Sequence, residues 1–303
     1  MTEVSRISTY ALHNTTINNF NKLQGDLSVL QDQVSSGLKG RDFEAYNGQV
    51  EQLVGLEKEV NRLNEYIENN AVTVSRLQTQ ENSLSQLIDI SNSVFNLMVG
   101  ENPGNANPAV FTEQMNQLRF AIADELNVNI AGRYLFGGTR TDLPPVIDEP
   151  EVPGAFVAGV PDDGYYQGSK ENVTSRAQDN VEFEYEARAD NPAFQKLFTA
   201  MSLAEEGSAE GDRAKMDAAK DLAQEATEEI IALQASVSSR RVDVDRITQK
   251  HTQQVLYFTG VVEDIANVDT VAAASRIAID QATLTATFQV FARISSLRLS
   301  DFL

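Results

Sequence analysis

The sequence predicts a mainly α-helical protein: an elongated antiparallel helical bundle or coiled coil, built from paired N- and C-terminal helices, with a small β-rich insert in the middle. Three observations carry this reading. An apolar 3-4 repeat is sustained through 53–98. Both ends of the chain carry apolar stripes and few charges. Between them, 132–191 changes to short alternating spans, turns and prolines.

The repeat reads Leu53, Leu56, Val60, Leu63, Ile67, Asn70, Val74, Leu77, Glu81, Leu84, Ile88, Ser91, Phe95 and Met98, and no Pro or Gly falls between Leu56 and Val99. One continuous helix of roughly 70 Å accounts for it, at about 1.5 Å per residue. A helix of that length needs partner helices of similar length, so a rod is expected. The bundle seam is assigned to Leu53, Leu56, Val60, Leu63, Ile67, Val74, Leu77, Leu84, Ile88 and Phe95. Asn70, Glu81 and Ser91 interrupt it, either as register-setting polar residues or as tolerated edge positions.

Before this helix, Phe20, Leu23, Leu27, Leu30 and Val34 form a stripe that ends at Gly37 and Gly40, and the glycine-rich 37–48 reads as a loop or hinge. After it, 101–108 (Glu-Asn-Pro-Gly-Asn-Ala-Asn-Pro) is a turn. A second helix follows over about 109–130, with Phe111, Met115, Leu118, Ile122 and Leu126 on one face. The short connection makes the two an antiparallel hairpin.

The stretch 132–192 holds six of the eight prolines and seven glycines, and Val181-Glu-Phe-Glu-Tyr-Glu-Ala187 alternates as a strand does. Between 142 and 190 there are three basic and twelve acidic residues, 3 − 12 = −9, so the insert is read as exposed and acidic. A short helix is expected around Phe194, Leu197, Phe198 and Met201, a loop at 205–211, and a long helix from Asp212 to about Val268. The last segment, from Val271, carries Leu284, Phe288, Phe291, Ile294, Leu297 and Phe302 among Ala, Thr and Ser. The resulting organisation is terminal helices at 1–40 plus 271–303, a long-helix bundle at 41–131 plus 192–270, and the insert at 132–191.

Composition narrows the function. There is no Cys, which removes disulfides, thiolate metal sites and redox nucleophiles. A net charge of −20 argues against nucleic acid and anionic lipid. Met1 to Leu12 shows no secretory leader pattern, and no apolar run is long enough for membrane insertion. His13 and His251 are far apart in sequence and read as surface or interface residues. Asp162-Asp163-Gly164 lacks the frame of an EF-hand and reads as a turn. Glu182, Glu184 and Glu186 share one strand face and read as solvated. No phosphate loop, nucleophile–base set or cofactor motif is present, so neither enzyme activity nor a cofactor is expected. Phe20, Leu23, Leu27, Leu30, Val34, Leu284, Phe288, Phe291, Ile294, Leu297 and Phe302 are assigned instead to an assembly interface on the terminal helices.

Several stretches, in order, resemble the flagellin superfamily, and within it the hook–filament junction proteins. They are Arg6-Ile-Ser-Thr-Tyr10, Leu30-Gln-Asp-Gln-Val-Ser-Ser-Gly37, Gly132-Arg-Tyr-Leu-Phe-Gly-Gly-Thr139, Tyr165-Tyr-Gln-Gly168 and the terminal Ala292 to Leu303. Leu38-Lys-Gly-Arg-Asp-Phe-Glu-Ala45 departs from the family's Asn/Asp-rich loop with an Asp-Asp pair. The resemblance implies a structural protein of the flagellum, passed unfolded through the flagellar type III export apparatus and located outside the cell. It implies packing against copies of itself, the hook-side junction protein (hook-associated protein 1), flagellin and an export chaperone. The filament subunit itself is the alternative. A coiled-coil adaptor or signalling protein is more remote, because it leaves the insert unexplained.

Overall fold

A computed structural model describes residues 3–46, 48–102, 107–147, 164–185 and 187–296. Six α-helices alternate with one 3-10 turn and two small hairpins: α1 Glu3–Ser36, the 3-10 turn Phe43–Tyr46, α2 Val50–Gly100, α3 Pro108–Leu126, β1 Asn129–Ile130, β2 Arg133–Tyr134, β3 Val173–Gln178, β4 Val181–Tyr185, α4 Pro192–Glu210, α5 Arg213–Ala266 and α6 Thr270–Ser296. The mainly α fold with a small β insert is therefore as the sequence predicts. By contact the chain divides into two compact units, 1–62 with 254–303, and 63–253. Among the described residues no helix is long and apolar enough to cross a membrane.

The second unit holds the large core. Helix α4 supplies Phe194, Leu197, Phe198 and Met201, all fully buried, and Tyr165 packs on Phe198 with ring centroids 4.8 Å apart. Around it close Phe111, Met115, Ile122 and Leu126 of α3, Leu77, Leu84, Leu87, Val94 and Met98 of α2, and Met216, Ala223 and Ile230 of α5. Within this unit α2 and α5 run antiparallel: Tyr66 stacks near His251 at one end, and Ser91 bonds Thr227 further along. Arg241 joins them by a 2.8 Å ion pair to Glu81. Lys196 of α4 reaches Glu225 and Glu229 of α5, each at 2.6 Å, and the two carboxylates hold its ammonium above the usual lysine range.

Burial along α2 shows how the seam is used. Leu63, Asn70, Leu77, Leu84, Ser91 and Met98 are buried, one per heptad. The second buried row is Thr73, Gln80, Leu87 and Val94, while Ile67, Val74, Glu81, Ile88 and Phe95 are half-buried flanks. The deepest line thus lies one residue N-terminal of the apolar one at alternate positions. Its polar members are hydrogen-bonded, as buried polar groups must be, Ser91 to Thr227 of α5 and the other three to the insert. Asn70 donates to the Ala177 carbonyl, the Thr73 hydroxyl shares a 2.7 Å bond with that of Ser175, and Gln80 donates to the carbonyls of Leu135 (2.8 Å) and Ala187 (3.2 Å).

Among the described residues there are two antiparallel hairpins in and next to the insert. β1 and β2 join through Ala131 and Gly132, both at positive φ, the twist that a two-residue hairpin requires. β3 and β4 pair with a bulge between Arg176 and Gln178. Their inner side is core, since Phe136, Tyr165, Ala177, Ala187 and Ala189 are all buried. Asp162, Asp163 and Glu186 lie outside the described residues.

One expected boundary is corrected. The loop read at 205–211 is the last part of α4, which runs to Glu210 and ends on Gly211 in the left-handed conformation. Gly207 lies inside the helix because the start of α5 crosses there: a Cβ would stand 3.1 Å from the Met216 amide nitrogen. The Gly and Ser in this stretch mark a close helix–helix approach, and Asp212 then caps α5 through the amides of Ala214 and Lys215.

Candidate assembly surface

In the first unit α1 and α6 lie side by side and antiparallel. At one end the Val268 amide donates to the Gly37 carbonyl (2.9 Å) and the Lys39 amide to the Ala266 carbonyl (2.8 Å), with a bridge between Leu38 and Asn267. Further along, Thr16, Ile17 and Phe20 line a shallow apolar groove with Thr287, Phe288 and Phe291. The joint between the helices is rigidly satisfied. The Lys39 ammonium donates to the carbonyls of Asp264 (2.9 Å) and Ile265 (2.8 Å), meeting the open carbonyls at the C-terminal end of α5. Asp269 caps the start of α6 through the amides of Val271 and Ala272, both at 3.0 Å. A small cluster of Tyr46, Leu53, Ile265 and Ala266 anchors the pair, with Leu56 packed against it.

The facing stripes are regular. Thr16, Phe20, Leu23, Leu27 and Leu30 of α1 and Ile277, Leu284, Thr287 and Phe291 of α6 are half-buried at heptad spacing. None is fully covered, because each helix has one neighbour. Across α1 and α6, among residues whose side chains are described, only Ala273 is buried.

The sequence-assigned residues therefore fall into two groups. Phe20, Leu23, Leu27, Leu30, Leu284 and Phe291 are half-buried, and Phe20 and Phe291 line the groove between α1 and α6. Val34 and Phe288 are exposed, Phe288 at 62 %. Leu297 and Phe302 lie outside the described residues, as does the side chain of Ile294. The ten seam residues on α2 are buried or half-buried: Leu53, Leu63, Leu77 and Leu84 fully, and Leu56, Val60, Ile67, Val74, Ile88 and Phe95 in part.

A second apolar face was not evident from the stripe alone. At 100° per residue, Ile279, Ala282, Ala286 and Val290 share the side of α6 turned away from Leu284 and Phe291. All four are exposed, Ile279 at 63 % and Val290 at 55 %. The signal available in the sequence was Ile279 and Val290, which fall off the Leu284–Phe291 stripe with Ala282 and Ala286 between them. Helix α6 is thus apolar on both sides, with one side on α1 and the other open. Small residues along the open side let another helix approach closely. Among the described residues no group of His, Asp or Glu is arranged to hold a metal ion.

Residues 7–141 match the family model of the bacterial flagellin N-terminal helical region. The matched stretch takes in most of α1, all of α2 and α3, and the first hairpin. Solved structures with the same fold include a putative flagellar hook-associated protein from Vibrio parahaemolyticus, at TM-score 0.57 and 18 % identity, covering 70 % of this chain and 95 % of that one. Bacillus cereus FlgL aligns at TM-score 0.50 and 17 % identity, over 65 % and 98 % of the two chains. Xanthomonas campestris FlgL aligns at 0.52 and 12 %, over 68 % and 97 %. No curated protein matches by sequence. Within the matched stretch, Phe136 of Gly132–Thr139 is fully buried and its carbonyl accepts from the Ala189 amide, so this segment ties the end of the helical hairpin to the entry of α4.

Proposed function

We propose that this chain is a structural subunit of the bacterial flagellum, joining the hook side to the filament by helix packing between subunits. The observation that carries the reading is α6, apolar on both faces and covered on one. A second copy supplies the missing cover, and because the two faces of α6 differ, the contact is heterologous and builds a ring or tube instead of a closed dimer. The flagellin-type N-terminal region supports placement in the flagellum. Likeness in fold to the FlgL structures favours the junction over the filament itself. On this reading the chain is exported through the flagellar apparatus with a chaperone, works outside the cell, and contacts copies of itself, the hook-side junction protein and flagellin.

The test is deletion of the gene in the source bacterium, followed by electron microscopy and immunoblotting of the medium. Hooks without filaments, with flagellin lost to the medium, are the expected result. The wild-type gene restores filaments, whereas Ile279→Asp and Phe288→Asp, both at exposed positions, give folded and exported protein without filaments. Normal filaments in the deletion strain overturn the reading. A deletion strain that makes no other flagellin assigns the chain to the filament.

A further inference from the structure

The second unit contains a small pocket where α2 meets the two hairpins, and it plays no part in the assembly reading. We propose that it is an anion site that takes a single carboxylate group. Arg76 of α2, Arg133 of β2 and Arg188 line it, together with Thr141, Gly138 and Tyr185. Among the described residues no Asp or Glu lines it. Arg188 is already engaged, with Asp190 at 2.8 Å and with Asn172. Arg76 and Arg133 make no ion pair among the described residues, so two arginines without a described carboxylate partner line one cavity in a chain whose net charge is −20.

Tyr185 supplies an independent sign of a ligand. Its side chain is buried, at 8 % exposure, and its hydroxyl has no hydrogen-bond partner among the described residues although it lines this pocket. A buried hydroxyl left without a partner is costly, and a bound acceptor removes that cost. The ligand must then accept from a phenol and from arginines. A carboxylate does both, and its planar pair of oxygens fits the guanidinium fork. Size excludes larger anions. The cavity is about 20 Å³, room for about one water-sized group. One carboxylate oxygen fills it beside Tyr185, and the other stays at the mouth with the exposed Arg133. The carboxylate comes either from a small free acid or from an acidic side chain of a second copy.

The experiment uses the full-length protein, labelled with 15N at arginine, titrated with sodium formate in place of sodium chloride at constant ionic strength. The Nε–Hε signals of Arg76 and Arg133 are expected to shift along one saturable curve. Arg76→Gln should weaken binding at least about tenfold, and Tyr185→Phe, which keeps the shape and removes the hydroxyl, several-fold. Arg246→Gln, on the exposed side of α5 where Arg246 pairs with Asp243, should change nothing. Sedimentation separates the two sources. If formate dissociates self-associated wild type and the Arg76→Gln/Arg133→Gln variant associates less, the group belongs to a second copy. Saturable formate binding with unchanged association assigns a free carboxylate. A linear shift without saturation, or equal weakening by Arg246→Gln, overturns the site.

Discussion

Ser91 and Thr227 meet in the core of the second unit, both buried, with their hydroxyl oxygens 2.6 Å apart. Thr227 also donates to the Ala223 carbonyl at 2.8 Å, so its single proton is committed and Ser91 must be the donor between them. The two truncations are therefore unequal. Thr227→Val orphans the Ser91 proton and should cost about 1–2 kcal/mol, Ser91→Ala should cost less, and the double variant should be more stable than the sum of the two losses. Urea unfolding of the three variants checks this; equal and additive costs would contradict the donor assignment. This pair also shows what the sequence hid. Asn70 and Ser91 read as interruptions of an apolar seam, although both lie at its deepest heptad position. Periodicity finds apolar residues, and it passes over buried polar ones whose partners are over a hundred residues away. The row of Thr73 and Gln80 was missed for the same reason, because Val74 and Glu81 beside them completed the 3-4 pattern equally well.

At the level of elements, the long helices were legible because Leu and Ile recur over many turns, and the strand at 181–185 because it alternates. The loop read at 205–211 was not a loop, since Gly207 is demanded by the crossing of α5. Gly138 is the opposite case, a glycine that lies in a turn for steric reasons. It has φ +62, and a Cβ there would stand 2.2 Å from the Ser169 carbonyl oxygen and 2.7 Å from that of Glu171. Both obstacles are backbone, so neither can swing aside. Gly138→Ala should destabilise the second unit by about 2 kcal/mol or more, whereas Gly55→Ala, in open space on α2, should stabilise by roughly 0.5–1 kcal/mol. Chemical denaturation of both variants distinguishes a glycine held by geometry from one that is merely tolerated. A neutral Gly138→Ala would mean that the hairpin shifts to make room.

Across the whole molecule, burial is divided unequally between the two units. The second has a continuous core of fully buried side chains from α2, α3, α4 and α5, whereas α1 and α6 rest on a half-buried seam and a cluster of four residues at one end. Helices gain most of their stability from packing an apolar face, and here only part of that packing is supplied within one chain. Opening free energy should differ accordingly. In dilute protein, amide hydrogen exchange is expected to be slow at Leu84, Leu197 and Ile230, near the limit set by global unfolding. It should be faster by orders of magnitude along 14–36 and 270–293. Assembly should then slow exchange in α1 and α6, most of all at Ile279, Ala282, Ala286 and Val290, because that side of α6 has no cover within the chain. The second unit should change little. This pattern ties the stability of the terminal helices to the presence of neighbours, so the ends fold to completion only where they are used. If α1 and α6 are already as protected as the core in the isolated subunit, the α1–α6 seam is sufficient by itself. The open face of α6 would then be a contact surface on a finished fold, and assembly would add affinity without completing the folding of the ends.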